Sequence, residues 1–170
     1  MPTATPPATV GPVPTATPAP PPAFGSTEPI DVAARPDPPA GTAVLTDVRI
    51  GAHTEEGGYD RIVFEFSDSL PAGVVAYVDV AVQCGSGFTT ALAGEAVLLV
   101  RLMPAQAHDD AGQPTTAARE LPGTGLALLE AKSVCDFEGQ VAWALGVRAR
   151  RPFRVLRLAG PTRLVVDLQH

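Results

Sequence analysis

Residues 152–170 close the chain with "PFRVLRLAGPTRLVVDLQH", two apolar stretches that alternate with charged residues around a Gly-Pro pair. A Gly-Pro pair is typical of a turn, and alternation with a period of two predicts a β-strand with one buried face. The sequence therefore predicts a strand, a turn and a final strand. In the final strand the predicted inward residues are Leu164, Val166 and Leu168, and the predicted outward residues are Arg163 and Asp167.

The same alternation occurs in "YDRIVFEFS" at residues 59–67, and weaker forms of it in "TDVRIGAH", "VVAYVDVAVQ", "AVLLVRLMP" and "QVAWALGV". About seven or eight short strands with turn signals between them predict an all-β fold, an antiparallel β-sandwich or barrel-like single domain. Only residues 105–120 and 122–133 leave room for one short helix. In residues 59–67 the predicted inward residues are Ile62, Phe64 and Phe66, and the outward ones are Arg61 and Glu65.

Residues 1–41 contain 13 of the 19 prolines, in near-repeats of Pro, Thr and Ala. Because proline has no backbone donor, we predict that this segment joins neither a helix nor a central sheet. We interpret 1–41 as a disordered tether and 42–170 as the folded domain. Such tracts often hold exported domains away from a membrane or wall. The alternative is a disordered tail without a role, and in either case we expect its deletion to leave the melting temperature nearly unchanged.

Composition and motifs limit the classes of function that the chain can have. The net charge of −6 argues against a nucleic-acid partner, which would require a cationic surface. No apolar run approaches the roughly 18 residues of a membrane span, and the start lacks the features of a signal peptide. None of the common catalytic or phosphate-binding motifs is present. We therefore predict no enzyme activity, no cofactor and no metal site.

The two cysteines, Cys84 and Cys135, are most simply one disulfide. A metal site would need further Cys or His at short spacing, and a catalytic Cys would need a His that nothing in the sequence places nearby. The bridge would close a loop of about 51 residues. In the chain-entropy model a bridge of this kind contributes roughly 4 kcal/mol to stability. Because disulfides persist in oxidising compartments, the pair indicates an extracytoplasmic protein, either secreted or tethered to the envelope.

The order of several segments resembles a known family. "GYDRIVFEF", "GSG", "DFEG", "WALG" and the "PFRV…PTRLVVD" ending are similar to the AMIN-like domains of exported bacterial cell-envelope proteins, relatives of the amidase N-terminal (AMIN) domain. The resemblance covers residues 42–170. It implies a β-sandwich, a location in the cell envelope, and, through the AMIN domain, peptidoglycan binding. Cys84 and Cys135 depart from the family pattern, and no lipobox or signal is found upstream.

Six residues form the candidate ligand-binding set. The structural interpretation of the charged ones is that they face solvent and form exposed cross-strand bridges, each contributing under about 1 kcal/mol. The functional interpretation is a shallow groove in which arginines bind carboxylates of envelope polymers while the aromatic rings stack on sugars. The set comprises His53, Tyr59, Arg61, Glu65, Arg163 and Asp167.

Two other clusters carry weaker alternatives. His108 with the two aspartates after it invites a metal or acid–base role, but residues of this kind in a Pro/Gly-rich loop are usually solvated. Asp136 and Glu138 are a carboxylate pair that glycoside cleavage would use if they faced a cleft. We favour instead a turn in which Phe137 is a buried anchor.

The sequence thus predicts a non-catalytic envelope-binding module whose partner is peptidoglycan or a related wall polymer. The alternative is a protein–protein interaction module of an exported envelope complex, and a hydrolase is less favoured than either.

Overall fold

The computed structural model describes residues 22–36, 41–55 and 57–170, and every regular element within these ranges is a β-strand. The all-β prediction is confirmed. The short helix allowed for in 105–120 or 122–133 is absent from the described residues, where these stretches form turns and strands. Eight strands have six or more residues, and five have two or three. In chain order the strands are β1 (Ile30–Val32), β2 (Ala43–His53), β3 (Tyr59–Phe66), β4 (Ala72–Val78), β5 (Ala81–Val82), β6 (Thr89–Thr90), β7 (Ala96–Met103), β8 (Ala105–Gln106), β9 (Glu120–Pro122), β10 (Leu128–Phe137), β11 (Gln140–Val147), β12 (Phe153–Leu158) and β13 (Thr162–Gln169).

Two sheets carry the fold. The first has the order β1-β4-β7-β11-β10-β9 and the second has the order β12-β13-β3-β2-β8, while β5 and β6 form a separate small hairpin. In the second sheet all pairs are antiparallel except β2 with β8. Because β13 pairs with β12 on one side and β3 on the other, the C-terminal strand is central.

A single core lies between the inner faces of the two sheets. Phe64 of β3 and Trp143 of β11 meet edge to face across it, with ring centroids 6.1 Å apart. The residues predicted to face inward from β3 and β13 are all buried in this core, so both predicted orientations are confirmed for the apolar side. They are Ile62, Phe64, Phe66, Leu164, Val166 and Leu168.

The two sheets are connected along both sides, which gives the sandwich the curl of a half-barrel. On one side the chain passes from β7 of the first sheet through Pro104 into β8 of the second, and Pro104 accepts a hydrogen bond from the Ala43 amide (3.1 Å). On the other side β1 pairs with β4 of the first sheet, and residues 22–26 lie against β12 of the second.

Strand β1 corrects part of the tether prediction. Ile30–Val32 belong to the segment interpreted as a disordered tether, yet they pair with β4 as an edge strand, and Val32 is buried in the core. The physical reason is that these residues have no proline among them and that β1 is an edge strand, where the ladder has to be satisfied on one side only. Residues 1–21 and 37–40 of the predicted tether lie outside the described residues. We therefore no longer expect deletion of residues 1–40 to leave the melting temperature unchanged, since the deletion would remove β1.

The outer face of the first sheet carries a second, smaller core. The small side chains of Ala142 and Ala144 on β11 are covered by the loop of residues 79–95, which contains β5 and β6. The predicted disulfide between Cys84 of this loop and Cys135 of β10 is confirmed. Gly146 has no side chain where the Ala93 carbonyl packs against it, so the loop approaches the sheet closely.

Candidate functional site

All six residues of the candidate set lie on the outer face of the second sheet. Their strands are neighbours, and the register places Asp167 opposite Arg61 and Arg163 opposite Glu65 on β13 and β3. His53 on β2 lies opposite Tyr59. Directly opposed residues in an antiparallel pair point to the same face, so the sheet brings the six side chains onto one surface. Their role in binding a ligand remains a prediction.

Asp167 does not face solvent, and the prediction that it does is wrong. Its side chain is fully buried, and the Arg61 guanidinium clamps it with Nε 2.7 Å from Oδ1 and Nη2 2.9 Å from Oδ2. Arg154 on the edge strand β12 adds a third bond, from Nε to Oδ2, at 2.8 Å. Two long arginine side chains therefore shield the carboxylate from water, which alternation along a single strand cannot reveal.

The hydrogen bonds from Arg61 to Asp167 raise the pKa of the Arg61 guanidinium above its usual value, although burial acts in the opposite direction. Arg61 thus stays charged, and so the ion pair persists. Bidentate arginine–carboxylate geometry of this kind also fixes the plane of the guanidinium. Arg61 is consequently a preorganised cation at the surface, with about a quarter of its side chain exposed (26%).

Aromatic rings surround the two arginines. The Tyr59 ring has the Arg61 guanidinium carbon 5.1 Å from its centroid and the Arg154 carbon 4.9 Å away. His53 stacks on Tyr59 with centroids 4.5 Å apart. Phe24, from the segment before β1, lies 4.3 Å from the Arg154 carbon and 5.8 Å from the Tyr59 centroid. We call these residues the arginine–aromatic surface: Phe24, His53, Tyr59, Arg61, Arg154 and Asp167.

Glu65 and Arg163 lie on the same face, four residues along β3 and β13 from Arg61 and Asp167. Although they are opposite each other in the register, their side chains form no salt bridge with each other. Glu65 accepts a hydrogen bond from Arg49 (3.0 Å), which also bonds Asp47 (2.6 Å). The Arg163 Nε donates to the Pro161 carbonyl at 3.3 Å. The Arg163 guanidinium forms no ion pair with any residue in the described ranges.

Sequence reasoning left three notable residues outside the candidate set. Arg154 and Phe24 complete the arginine–aromatic surface, and the alternation of "FRVLRL" was the available signal for Arg154. Asp60 is also fully buried, at the end of β3, where it accepts hydrogen bonds from the amides of Ala127 (2.7 Å) and Leu128 (2.8 Å). His170 Nε2 lies 3.2 Å from its other oxygen.

Asp60 is held as a carboxylate by these neighbours. Burial alone would raise its pKa, but the bonds from Leu128, Ala127 and His170 lower the pKa below its ordinary value. The Thr124 hydroxyl contributes in the same direction, although its oxygen makes no hydrogen bond of good geometry. Asp60 thus ties the loop before β10 to β3 and to the C-terminus.

The alternative clusters are occupied by structural contacts. Asp136 is buried and accepts hydrogen bonds from the Ala107 amide and from His108, both at 2.9 Å, with Arg119 3.7 Å away. Glu138 lies in the turn after β10 with a φ of 50°. The prediction that Phe137 is a buried anchor is wrong, because its ring is 54% exposed. No group of three or more metal-ligating side chains occurs within the described ranges.

A further pocket lies elsewhere, beside the 79–95 loop of the first sheet. It has a volume of about 780 Å³, and Tyr77, Thr90 and Arg150 are among its lining residues. The Tyr77 hydroxyl already bonds the Arg151 backbone. This pocket thus lies beside the first sheet, whereas the arginine–aromatic surface lies on the second.

The chain is a curled β-sandwich with charged and aromatic side chains on the outer face of its second sheet. The family model of the AMIN-like domain matches residues 43–170, and the chain belongs to this family. AMIN-like domains are generally non-catalytic modules of exported cell-envelope proteins. No curated protein and no solved structure shows a significant match to the chain. Within the described residues there is no helix of the length and apolarity required to cross a membrane.

Proposed function

We propose that this domain binds peptidoglycan or a related wall polymer, without catalysis, through the arginine–aromatic surface and the neighbouring Arg163. The observation that carries the proposal is the pair of guanidiniums fixed by one buried carboxylate, Asp167, beside the stacked rings of Tyr59 and His53. Two arginines and one aspartate leave this cluster with a net positive charge. Arginine N–H groups suit the carboxylates of wall peptides, and aromatic faces suit sugar rings.

Co-sedimentation with purified, insoluble wall sacculi tests this proposal. We expect the wild-type chain to pellet with sacculi and Arg163→Gln and Tyr59→Ala to reduce the bound fraction severalfold. Arg101→Gln is the matched control, since Arg101 is an exposed arginine on the first sheet. Equal binding of all four proteins, or no binding above that of an unrelated β-sandwich, would refute the proposal.

The second candidate is a protein–protein interaction module of an envelope complex. Its support is a group of exposed apolar side chains on the outer side of the first sheet and its loop, namely Val80, Val82, Phe88, Met103 and Phe137. Where exposed apolar side chains form one contiguous patch, they mark a protein interface. If variants of Phe88 and Phe137 abolish envelope binding while Arg163→Gln does not, this candidate replaces the first.

We further propose an extracytoplasmic location, supported by the disulfide and by the compartment of the family. The Pro/Thr/Ala-rich residues that precede the described part are proposed to act as a spacer. A hydrolase has little support, because Asp136 is engaged by His108 and a backbone amide.

A further inference from the structure

Residues 22–26, which we call the strap, lie along the edge of β12. The Phe153 amide of this edge donates to the Ser26 carbonyl at 3.2 Å. The Arg154 Nη1 donates to the Pro22 carbonyl at 3.1 Å. Between these two bonds the Phe24 ring enters the arginine–aromatic surface and packs on Arg154 and Tyr59.

Both strap hydrogen bonds run in the same direction. In each case the folded domain supplies the donor and the strap supplies a backbone carbonyl. A proline-rich peptide has carbonyls at every residue but lacks amide donors at its prolines, so a surface that offers donors is complementary to it. Recognition of extended peptides at a sheet edge combines such main-chain bonds with a pocket for one side chain.

The strap is only lightly held. Pro22, Ala23, Gly25 and Ser26 are exposed, and Phe24 is its one partly buried side chain. The adjoining groove of about 350 Å³ runs between the strap and β12. The anchoring therefore depends on one aromatic ring and two hydrogen bonds, few enough for another chain of the same kind to replace them.

We propose that the β12 edge with Arg154 and Tyr59 is a docking site for extended, proline-containing peptides that carry an aromatic residue. The strap occupies this site in cis and competes with a partner in trans. The partner is an unfolded segment of another protein in which an aromatic side chain follows a proline at the spacing of Pro22 and Phe24. The proposal depends on strap contacts alone and stands or falls independently of wall-polymer binding.

Fluorescence anisotropy with a labelled peptide of residues 22–28, "PAFGSTE", tests the proposal on the full chain. If the strap has an effective concentration of about 1 mM and the peptide a Kd of about 0.1 mM, occupancy in cis weakens the apparent affinity roughly tenfold. We therefore expect Phe24→Ala to bind the peptide about tenfold more tightly than the wild type. A second variant that combines Phe24→Ala with Tyr59→Ala should lose this gain.

Controls separate docking from other effects. Phe88→Ala removes an exposed phenylalanine from the loop over the outer face of the first sheet, outside the contacts of the strap, and should bind the peptide as weakly as the wild type. The peptide with alanine in place of Phe24 should not bind. Thermal unfolding followed by Trp143 fluorescence verifies that each variant is folded. A folded Phe24→Ala chain with no gain in affinity overturns the proposal, as does a wild-type dimer that requires Phe24, since the strap would then belong in a second copy.

Discussion

At the residue scale, two buried carboxylates hold together several parts of the fold. Asp167 and Asp60 are both fully buried, and each joins parts of the chain distant in sequence. Asp167 connects three strands through Arg61 and Arg154. A buried charge without partners is costly, so each aspartate depends on the donors around it.

Replacing Asp167 with asparagine tests the first of these sites. The change keeps the volume but leaves the charges of Arg61 and Arg154 without a counterion. We expect the free energy of unfolding to fall by about 3 kcal/mol, the lower end for a broken buried pair, because Arg61 is partly exposed. Urea denaturation followed by Trp143 fluorescence measures it. Glu65→Gln, which breaks the exposed pair with Arg49 on the same face, should cost under about 1 kcal/mol. Equal losses in the two variants would contradict this account.

The Asp60 site predicts a dependence of stability on pH. Because its pKa is lower in the folded chain than in the unfolded chain, its contribution is present above the unfolded value of about 3.9 and is lost as the pH falls through the folded value. We expect Asp60→Asn to reduce the free energy of unfolding at pH 7 by about 2 kcal/mol. The gap between wild type and variant should shrink below about pH 4. A gap that stays constant from pH 7 to pH 3 would exclude this linkage.

At the element scale, β1 has only three residues but contributes a side chain to the core. Val32 is buried while its neighbour Asp31 is exposed. We expect Val32→Ala to reduce the free energy of unfolding by about 1–2 kcal/mol through loss of buried methyl groups. Asp31→Ala, the neighbouring control, should remain within about 0.5 kcal/mol of the wild type. Urea titrations of both variants measure the difference, and identical midpoints would mean that β1 is not part of the cooperative unit.

The disulfide fastens the 79–95 loop over the first sheet. Cys84 and Cys135 are 51 residues apart, so their bond restricts the unfolded chain considerably. We expect the double variant Cys84→Ala, Cys135→Ala to lose about 4 kcal/mol of stability in the chain-entropy model. Differential scanning calorimetry measures the loss, and reductant added to the wild type should lower its melting temperature to a similar extent. A reductant that changes the double variant as much as the wild type would invalidate this comparison.

The elements also show how far sequence reasoning reaches. Strands such as β3 and β13 were predictable because six or more alternating residues establish a period. Strands of two or three residues, such as β5, β6 and β8, have no period to detect. The candidate surface was predicted in part, because alternation indicates which side chains share a face. It was incomplete at Arg154 and Phe24, and wrong for the exposure of Asp167, because burial on an outer face depends on what other segments place above it.

At the scale of the whole molecule, the main core and the connections along both sides make the sandwich a single unit. We expect neither sheet to be stable alone, since the main core forms only where the two inner faces meet. The N-terminal segment, which contains the strap, also affects the molecule as a whole. Residues just before β1 contact the same outer face that we propose as the binding surface, so whatever acts on the N-terminal segment can change access to that surface.

Removal of residues 163–170 tests whether the sandwich is one unit. The deletion takes away the strand between β12 and β3, together with three core side chains, Leu164, Val166 and Leu168. The facing edges of β12 and β3 would then be unpaired, and Phe64 would lose its neighbour Leu164. We therefore expect no cooperative thermal transition, and a fluorescence emission maximum for Trp143 that is typical of a solvent-exposed tryptophan. Deletion of His170 alone is the control, because it removes only contacts to Asp60 and Gly58 and should preserve a sharp transition. A truncated chain that still melts cooperatively would mean that the second sheet is completed without β13, and the description of the sandwich as one cooperative unit would be wrong.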